Sequence, residues 1–415
     1  MDISKPAADL GEAFGRLDPQ RFLETPQELQ QWFCERTGSP RAEVALRLRN
    51  DPGNSGKYLF SGHRGSGKTT ELRKLSQELG GEFFCTHVSA FLELDVFDLD
   101  VGDLMFVMVS RLVSEGRDYL DKDVIAQVES LTEAVTHEVV TETPRGVSAE
   151  VAVDLKIVKV GGRIGKEAVT RTTVRREVNR RLGEFVDTGT LVAQTIQKAA
   201  GKPVLVIVDD LDKIPDLEKA ADLFFKQAGV LLAPGFSVIY TFPIALRYHQ
   251  DFSQIVRMGF SEGHVLPNFP VRRRDGLREE TALERMTCIA RNRKVAEDLI
   301  PQEQARELAW LSGGLAREFV RLAGSACIES LRRGITSVDG HAVEMVRGKG
   351  IAEFDVMLTQ EQRRLLAAVH ASRRLGENDE AHRGLLHNLS VLEYGEAAVR
   401  RYYDVNPLAE PLAEG

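Results

Sequence analysis

Gly62-His63-Arg64-Gly65-Ser66-Gly67-Lys68-Thr69 fits the spacing G-x-x-x-x-G-K-[S/T] at every fixed position. Before it lies a β-rich run, Lys57-Tyr58-Leu59-Phe60-Ser61. After it, Leu72, Leu75 and Leu79 recur at helical spacing from Thr69 onward. Strand, glycine-rich loop and helix in that order make a phosphate cradle. The glycines let successive backbone N–H groups curl around an anion with no Cβ in the way. The helix beginning near Lys68 directs its positive dipole end at the same point. Lys68 reaches β- and γ-phosphate oxygens, the Thr69 hydroxyl serves as a magnesium ligand, and Thr70 closes the cradle.

A second stretch completes the pattern. Val204-Leu205-Val206-Ile207-Val208 is continuous and β-branched, as in a strand buried on both faces of a parallel sheet. It runs into Asp209-Asp210-Leu211-Asp212-Lys213. Asp209 is placed to face a magnesium ion, and Asp210 to polarise an attacking water. Capping the next helix, with Pro215 early in it, is the other reading for Asp210 and above all for Asp212. A further strand over 237–242 ends at Thr241, which either touches the γ-phosphate or the water, or is an ordinary strand-end threonine. Helical spacing marks 104–113 and 217–231, and strand 83–88 lies between the loop and the first of these. Strands alternating with helices predict an α/β fold, a parallel sheet with helices on both faces.

These motifs resemble P-loop ATPases of the AAA+/STAND superclass, especially prokaryotic STAND and KAP-type members, over residues 50–345. The resemblance implies ATP and Mg2+ as ligands and hydrolysis to ADP and phosphate. It implies Gly62 to Thr69 as Walker A, Asp209 and Asp210 as Walker B, and Thr241 as sensor 1. Leu311-Ser312-Gly313-Gly314-Leu315-Ala316-Arg317-Glu318 is similar to a sensor-2 region, with Arg317 approaching the γ-phosphate or held in a salt bridge. Asp-Asp stands where many AAA+ members have Asp-Glu. Arg247 and Arg257 are the candidates for an arginine finger. No Asn-Lys-x-Asp guanine-reading motif is present, which favours ATP over GTP.

The chain has 415 residues, enough for two or three domains of roughly 100–200 residues each. The expected division is an N-terminal helical segment over 1–50 and an ATPase core over 51–275 with an insert at about 114–200. A helical lid over 276–350 and a winged-helix-like module over 351–415 follow. Val151 to Val160 alternates like a hairpin. With no signal peptide and no apolar run of about 18 residues, a cytoplasmic protein without membrane contact is expected. Cys34, Cys85, Cys288 and Cys327 are scattered, as reduced buried thiols are.

Net charge is −8, which argues against a basic nucleic-acid binder. The distribution is uneven. Lys156, Lys159, Arg163, Lys166, Arg171, Arg175, Arg176, Arg180 and Arg181 face only Glu167 and Glu177 between 156 and 181, nine against two. That insert reads either as a solvated helix face or as a surface for nucleic acid or an acidic partner. Over 351–415 seven arginines meet eleven acids, an unsuitable balance for gripping a phosphate backbone and a better one for protein contacts. Two functions fit. One is a regulatory ATPase that changes conformation or oligomeric state with nucleotide, a kind found in bacterial signalling and anti-phage defence. The other is a DNA-remodelling ATPase resembling origin-recognition proteins. A homo-oligomer or a protein partner is expected in the first.

Overall fold

The computed structural model describes residues 5–21, 23, 25–139, 168–376, 379–395 and 401–413. By its internal contacts the chain divides into two compact units. One holds Arg41–Ser61 and Leu75–His264; the other holds the chain up to Pro40, Gly62–Lys74 and the chain from Val265 onward.

The first unit carries a mixed α/β fold. Strands β1 (Lys57–Gly62), β2 (Phe84–Ser89), β3 (Val204–Asp209), β4 (Ser237–Pro243) and β5 (His264–Val265) form a sheet in the order β2-β3-β4-β1-β5. β2 pairs with β3 and β3 with β4 in parallel, Phe84 opposite Val204 and Leu205 opposite Ser237. Every residue of β3 and β4 is buried, as the unbroken apolar run requires of a strand covered on both faces. The helices Val101–Glu115 and Leu182–Ala200 pack on each other and against β2. The first is so apolar that 12 of its 15 residues are buried. The second stops at Gly201, whose φ of 69° is the left-handed turn that ends a helix without strain.

Two expectations are corrected in this unit. The helix expected over 217–231 is broken into Leu217–Ala221, a π-turn at Asp222–Lys226 and Ala228–Leu232. Its N-cap is Asp216, whose carboxylate accepts from the N–H groups of Glu218 and Lys219, so Asp212 does not cap it. The basic insert is the other case. Lys156, Lys159, Arg163 and Lys166, and the hairpin expected at 151–160, lie outside the described residues. The five described arginines each meet a carboxylate. Arg171 pairs with Asp95 and Asp98, Arg175 with Asp98 and Asp103, Arg176 and Arg180 with Glu177, and Arg181 with Glu184. Most of those acids come from 95–103, outside the window in which the charge was counted. Arg171 and Arg175 tie this part of the insert to residues 95–103, while Arg176, Arg180 and Arg181 pair with acids of their own stretch.

The second unit is mainly helical. Leu10–Arg16, Glu280–Asn292, Gln302–Leu311, Ala316–Arg332 and Gly340–Met357 share a core that includes Leu10, Leu283, Leu308, Phe319 and Leu322. The helices Gln360–Ser372 and Glu380–His387 then lead to an antiparallel pair, β6 (Val391–Tyr394) and β7 (Tyr402–Val405). The acids of this C-terminal stretch are largely used internally. Asp404 is fully buried and meets Arg272, Arg373 and His370, and Glu410 also meets Arg272. The cysteine expectation is corrected here: Cys34 and Cys288 form a disulfide across 254 residues of sequence, while Cys85 and Cys327 are free. No helix among the described residues is long and apolar enough to cross a membrane.

Arg272→Met removes one cation from the buried Asp404 and keeps the side chain's bulk. A loss of about 3 kcal/mol in unfolding free energy is expected from urea titration, because a buried carboxylate loses a partner.

Candidate nucleotide site

β1 runs into the glycine-rich loop, and the helix Lys68–Leu79 follows it. Gly65 and Gly67 sit at φ 80° and 105°, which side chains with a Cβ rarely adopt. Lys68 is buried, and its Nζ donates to the carbonyls of Gly62 and His63, both at 2.9 Å. The ammonium is therefore held inside the loop. Ser66 is fully buried, and its Oγ has no hydrogen-bond partner. A buried hydroxyl without a partner beside a lysine suits a loop that receives an anion with oxygen acceptors.

Segments of the same unit also sit against the loop at Gly65, Gly67, His63 and Arg64. The N–H of Arg317, second residue of Ala316–Arg332, donates to the Gly65 carbonyl at 2.9 Å. A Cβ on Gly65 would lie 3.1 Å from Arg317 Cβ. A Cβ on Gly67 would lie 2.9 Å from Arg36 Nη2. Arg36 stacks on Phe269 at 4.7 Å, donates to the Pro267 carbonyl at 3.1 Å and pairs with Glu71, which is 1% exposed, at 3.4 Å. The Ser39 hydroxyl donates to the same Glu71 at 3.0 Å. His63 is buried, and its Nε2 accepts the N–H of Glu393 in β6 at 2.8 Å. Arg64 Nη2 lies 3.3 Å from His387 Nε2. Burial, with the Lys68 charge behind it, pushes the His63 imidazole down to about 3.

The acidic turn belongs to the sheet unit. Asp209 ends β3, and its Oδ1 accepts the N–H of Asp210 at 2.7 Å. Asp210 follows in the left-handed region, φ 70°. Ser89, at the end of β2, donates its hydroxyl to Asp210 Oδ2 at 2.6 Å, and Lys213 Nζ lies 2.5 Å from Oδ1. Thr241 is fully buried in β4, and its Oγ1 accepts the Leu211 N–H at 3.0 Å. The ends of β2 and β3 thus meet at the Asp210 carboxylate, while β4 holds the N–H of the next residue. Asp212 is buried in the following short 3-10 turn. Arg247 is half-buried after β4, whereas Arg257 is exposed on the helix Phe252–Met258.

Gly62 to Thr70 and Arg317 belong to one unit, and Asp209, Asp210 and Thr241 to the other. Sequence reading missed Arg36, Ser39 and Glu71 at the loop, and Ser89 and Lys213 at Asp210. Glu71 was within reach, as an acid one turn past Lys68 on the face of Lys68–Leu79 that carries Leu75. Arg36 had no local signal. Among the described residues no group of three or more His, Cys, Asp or Glu side chains could hold a metal ion.

No family model matches the chain, and no curated protein matches it. Solved structures do show similarity. Cdc6p from Pyrobaculum aerophilum is 14% identical at a TM-score of 0.38, with 96% of each chain covered. A Walker-type ATPase of Pyrococcus abyssi is 14% identical at a TM-score of 0.45, covering 96% of this chain and 100% of that one. The Aeropyrum pernix Orc1 protein in complex with DNA is 15% identical at a TM-score of 0.39, with 94% of each chain covered.

His63 gives a pH prediction. Its folded value near 3 lies below the ordinary 6.5, so between those limits the unfolded chain binds the proton and the folded chain does not. Its contribution to stability is complete above about pH 6.5 and is lost as pH falls toward 3. In His63→Asn the unfolding free energy should fall less steeply over that window, by up to about 1.4 kcal/mol per pH unit, in urea titrations run at stepped pH.

Proposed function

We propose that this chain binds and hydrolyses ATP as an ATPase of the AAA+/STAND kind, and that nucleotide switches its conformation or its assembly. The observation that supports this most is the seating of Arg317 on Gly65, which puts the start of a long helix against the phosphate loop. A phosphate entering the loop must rearrange the Lys68 contacts to Gly62 and His63. The helix and β6 are joined to the same few residues, so they feel that change.

In this reading Gly62 to Thr70 cradle the phosphates, Lys68 neutralises the β- and γ-oxygens, and Arg317 faces the γ-phosphate. Mg2+ supplies charge neutralisation on the phosphates. Thr69 and Asp209 are the candidates that would hold this ion, which keeps several waters and needs few protein ligands. Asp210 would take the proton of the water whose oxygen bonds to the γ-phosphorus as the bond to the bridging oxygen breaks and ADP leaves with that electron pair. Thr241 holds the backbone just past Asp210. Arg257, exposed, suits a finger reaching a neighbouring subunit better than Arg247 does.

The second reading is a DNA-remodelling ATPase resembling origin-recognition proteins; among the similar solved structures are a Cdc6p and an Orc1 protein in complex with DNA. The chain order of sheet core, helical region and helix–helix–hairpin suits it. In the insert, Arg171 and Arg175 are committed to Asp95, Asp98 and Asp103, whereas Arg176 and Arg180 stay exposed.

Lys68→Ala should abolish ATP binding in calorimetry; retained normal affinity would overturn the loop assignment. Asp210→Asn should keep affinity and lower turnover about 100-fold or more in a phosphate-release assay, the scale of a general base. Light scattering with a non-hydrolysable ATP analogue separates the two readings. Nucleotide-dependent oligomers without DNA favour the switch, and salt-sensitive DNA binding favours remodelling.

A further inference from the structure

The Cys34–Cys288 disulfide fastens an irregular segment to a helix. Cys34 follows the helix Pro26–Trp32, and Cys288 lies in the last turn but one of Glu280–Asn292. Residues 33–40 form neither helix nor strand. Both bridged cysteines are half-buried, whereas Cys327 is fully buried and free. The core of this unit is built on residues such as Leu283, Met286, Leu308 and Phe319, and Cys34 packs against it from outside. A bridge placed there is open to thiol exchange, and the core does not depend on it.

Two residues past Cys34, Arg36 sits on the phosphate loop. Its Nη2 occupies the space where a Cβ of residue 67 would be, and Glu71, the Pro267 carbonyl and the Phe269 ring hold it there. The segment's start has a further tie, since Asn292 Nδ2 donates to the Phe33 carbonyl at 2.9 Å and to Cys34 Sγ at 3.2 Å. All of these contacts are non-covalent and can open one at a time. The disulfide limits how far the segment can move when they do. With the bridge cut, 33–39 opens more often, and Arg36 leaves the loop with it.

We propose that the Cys34–Cys288 disulfide is a thiol-reversible latch that sets how firmly Arg36 holds the phosphate loop. A dithiol opens it. One thiolate of the reductant attacks a protein sulfur, the Cys34–Cys288 bond breaks, and the second thiol displaces the mixed disulfide. Two electrons and two protons pass to the protein, which is left with two thiols, and the reductant becomes a disulfide. With the latch closed, the loop keeps its shape before an anion arrives. With it open, that order has to be made on binding, and affinity falls. The effect on affinity rests on the nucleotide reading above; the latch itself does not.

Hydrogen–deuterium exchange and ATP calorimetry on the full chain test it, before and after dithiothreitol, with free thiols counted by mass spectrometry. On reduction, exchange over 33–39 and 65–71 without nucleotide should rise about three- to tenfold, and ATP affinity should fall by a similar factor. Cys34→Ser should show the reduced values with or without dithiothreitol. Arg36→Gln should bind ATP equally in both redox states, because the latch acts through that side chain. Exchange over 33–39 and 65–71 that is the same in both states overturns the latch, whatever ATP does. Four free thiols in protein purified without reductant, or loss of far-UV ellipticity on reduction, overturns it too. Raised exchange at the loop with no ATP binding in either state keeps the latch and overturns the nucleotide reading. The wild-type measurements decide the question even if neither variant folds.

Discussion

At two points on the phosphate loop a Cβ would crowd an arginine from elsewhere in the same unit. At Gly65 the space belongs to Arg317, and at Gly67 to Arg36. The glycines thus have two jobs at once. They free backbone N–H groups to face an anion, and they let an arginine from each side close on the loop. Arg36 stays because Glu71 neutralises it in a nearly dry setting, where losing one partner costs about 3–5 kcal/mol. The segment 36–39 and the helix beginning at Ala316 are therefore fixed by contacts at the loop itself.

A similar economy governs the acidic turn. A non-glycine residue in the left-handed region costs on the order of 1–2 kcal/mol, and Asp210 persists there because its surroundings over-determine it. Ser89 and Lys213 hold its carboxylate, and Thr241 holds the next N–H. Each comes from a strand end or from the turn itself, so the sheet's register sets the carboxylate's position. Strain of this kind is kept where a side chain must point one way.

The same physics explains what could be read in advance. Val204 to Val208 declared a doubly covered strand because only burial on both faces tolerates an unbroken apolar run. The loop was legible because its chemistry is local, eight consecutive residues with glycines at fixed offsets. What escaped was non-local. A window of charge over 156–181 could not include Asp95, Asp98 and Asp103, which neutralise Arg171 and Arg175. Cys34 and Cys288 showed no spacing pattern because 254 residues separate them.

The central claim is that nucleotide phosphates enter the loop at Gly62 to Thr69 and are felt by the segments seated on it. Hydrogen–deuterium exchange of the full chain, with and without ATP and Mg2+, addresses it most directly. The account predicts added protection across 62–70, with altered exchange at the start of Ala316–Arg332 and in β6. Unchanged exchange at the loop in saturating ATP would contradict it.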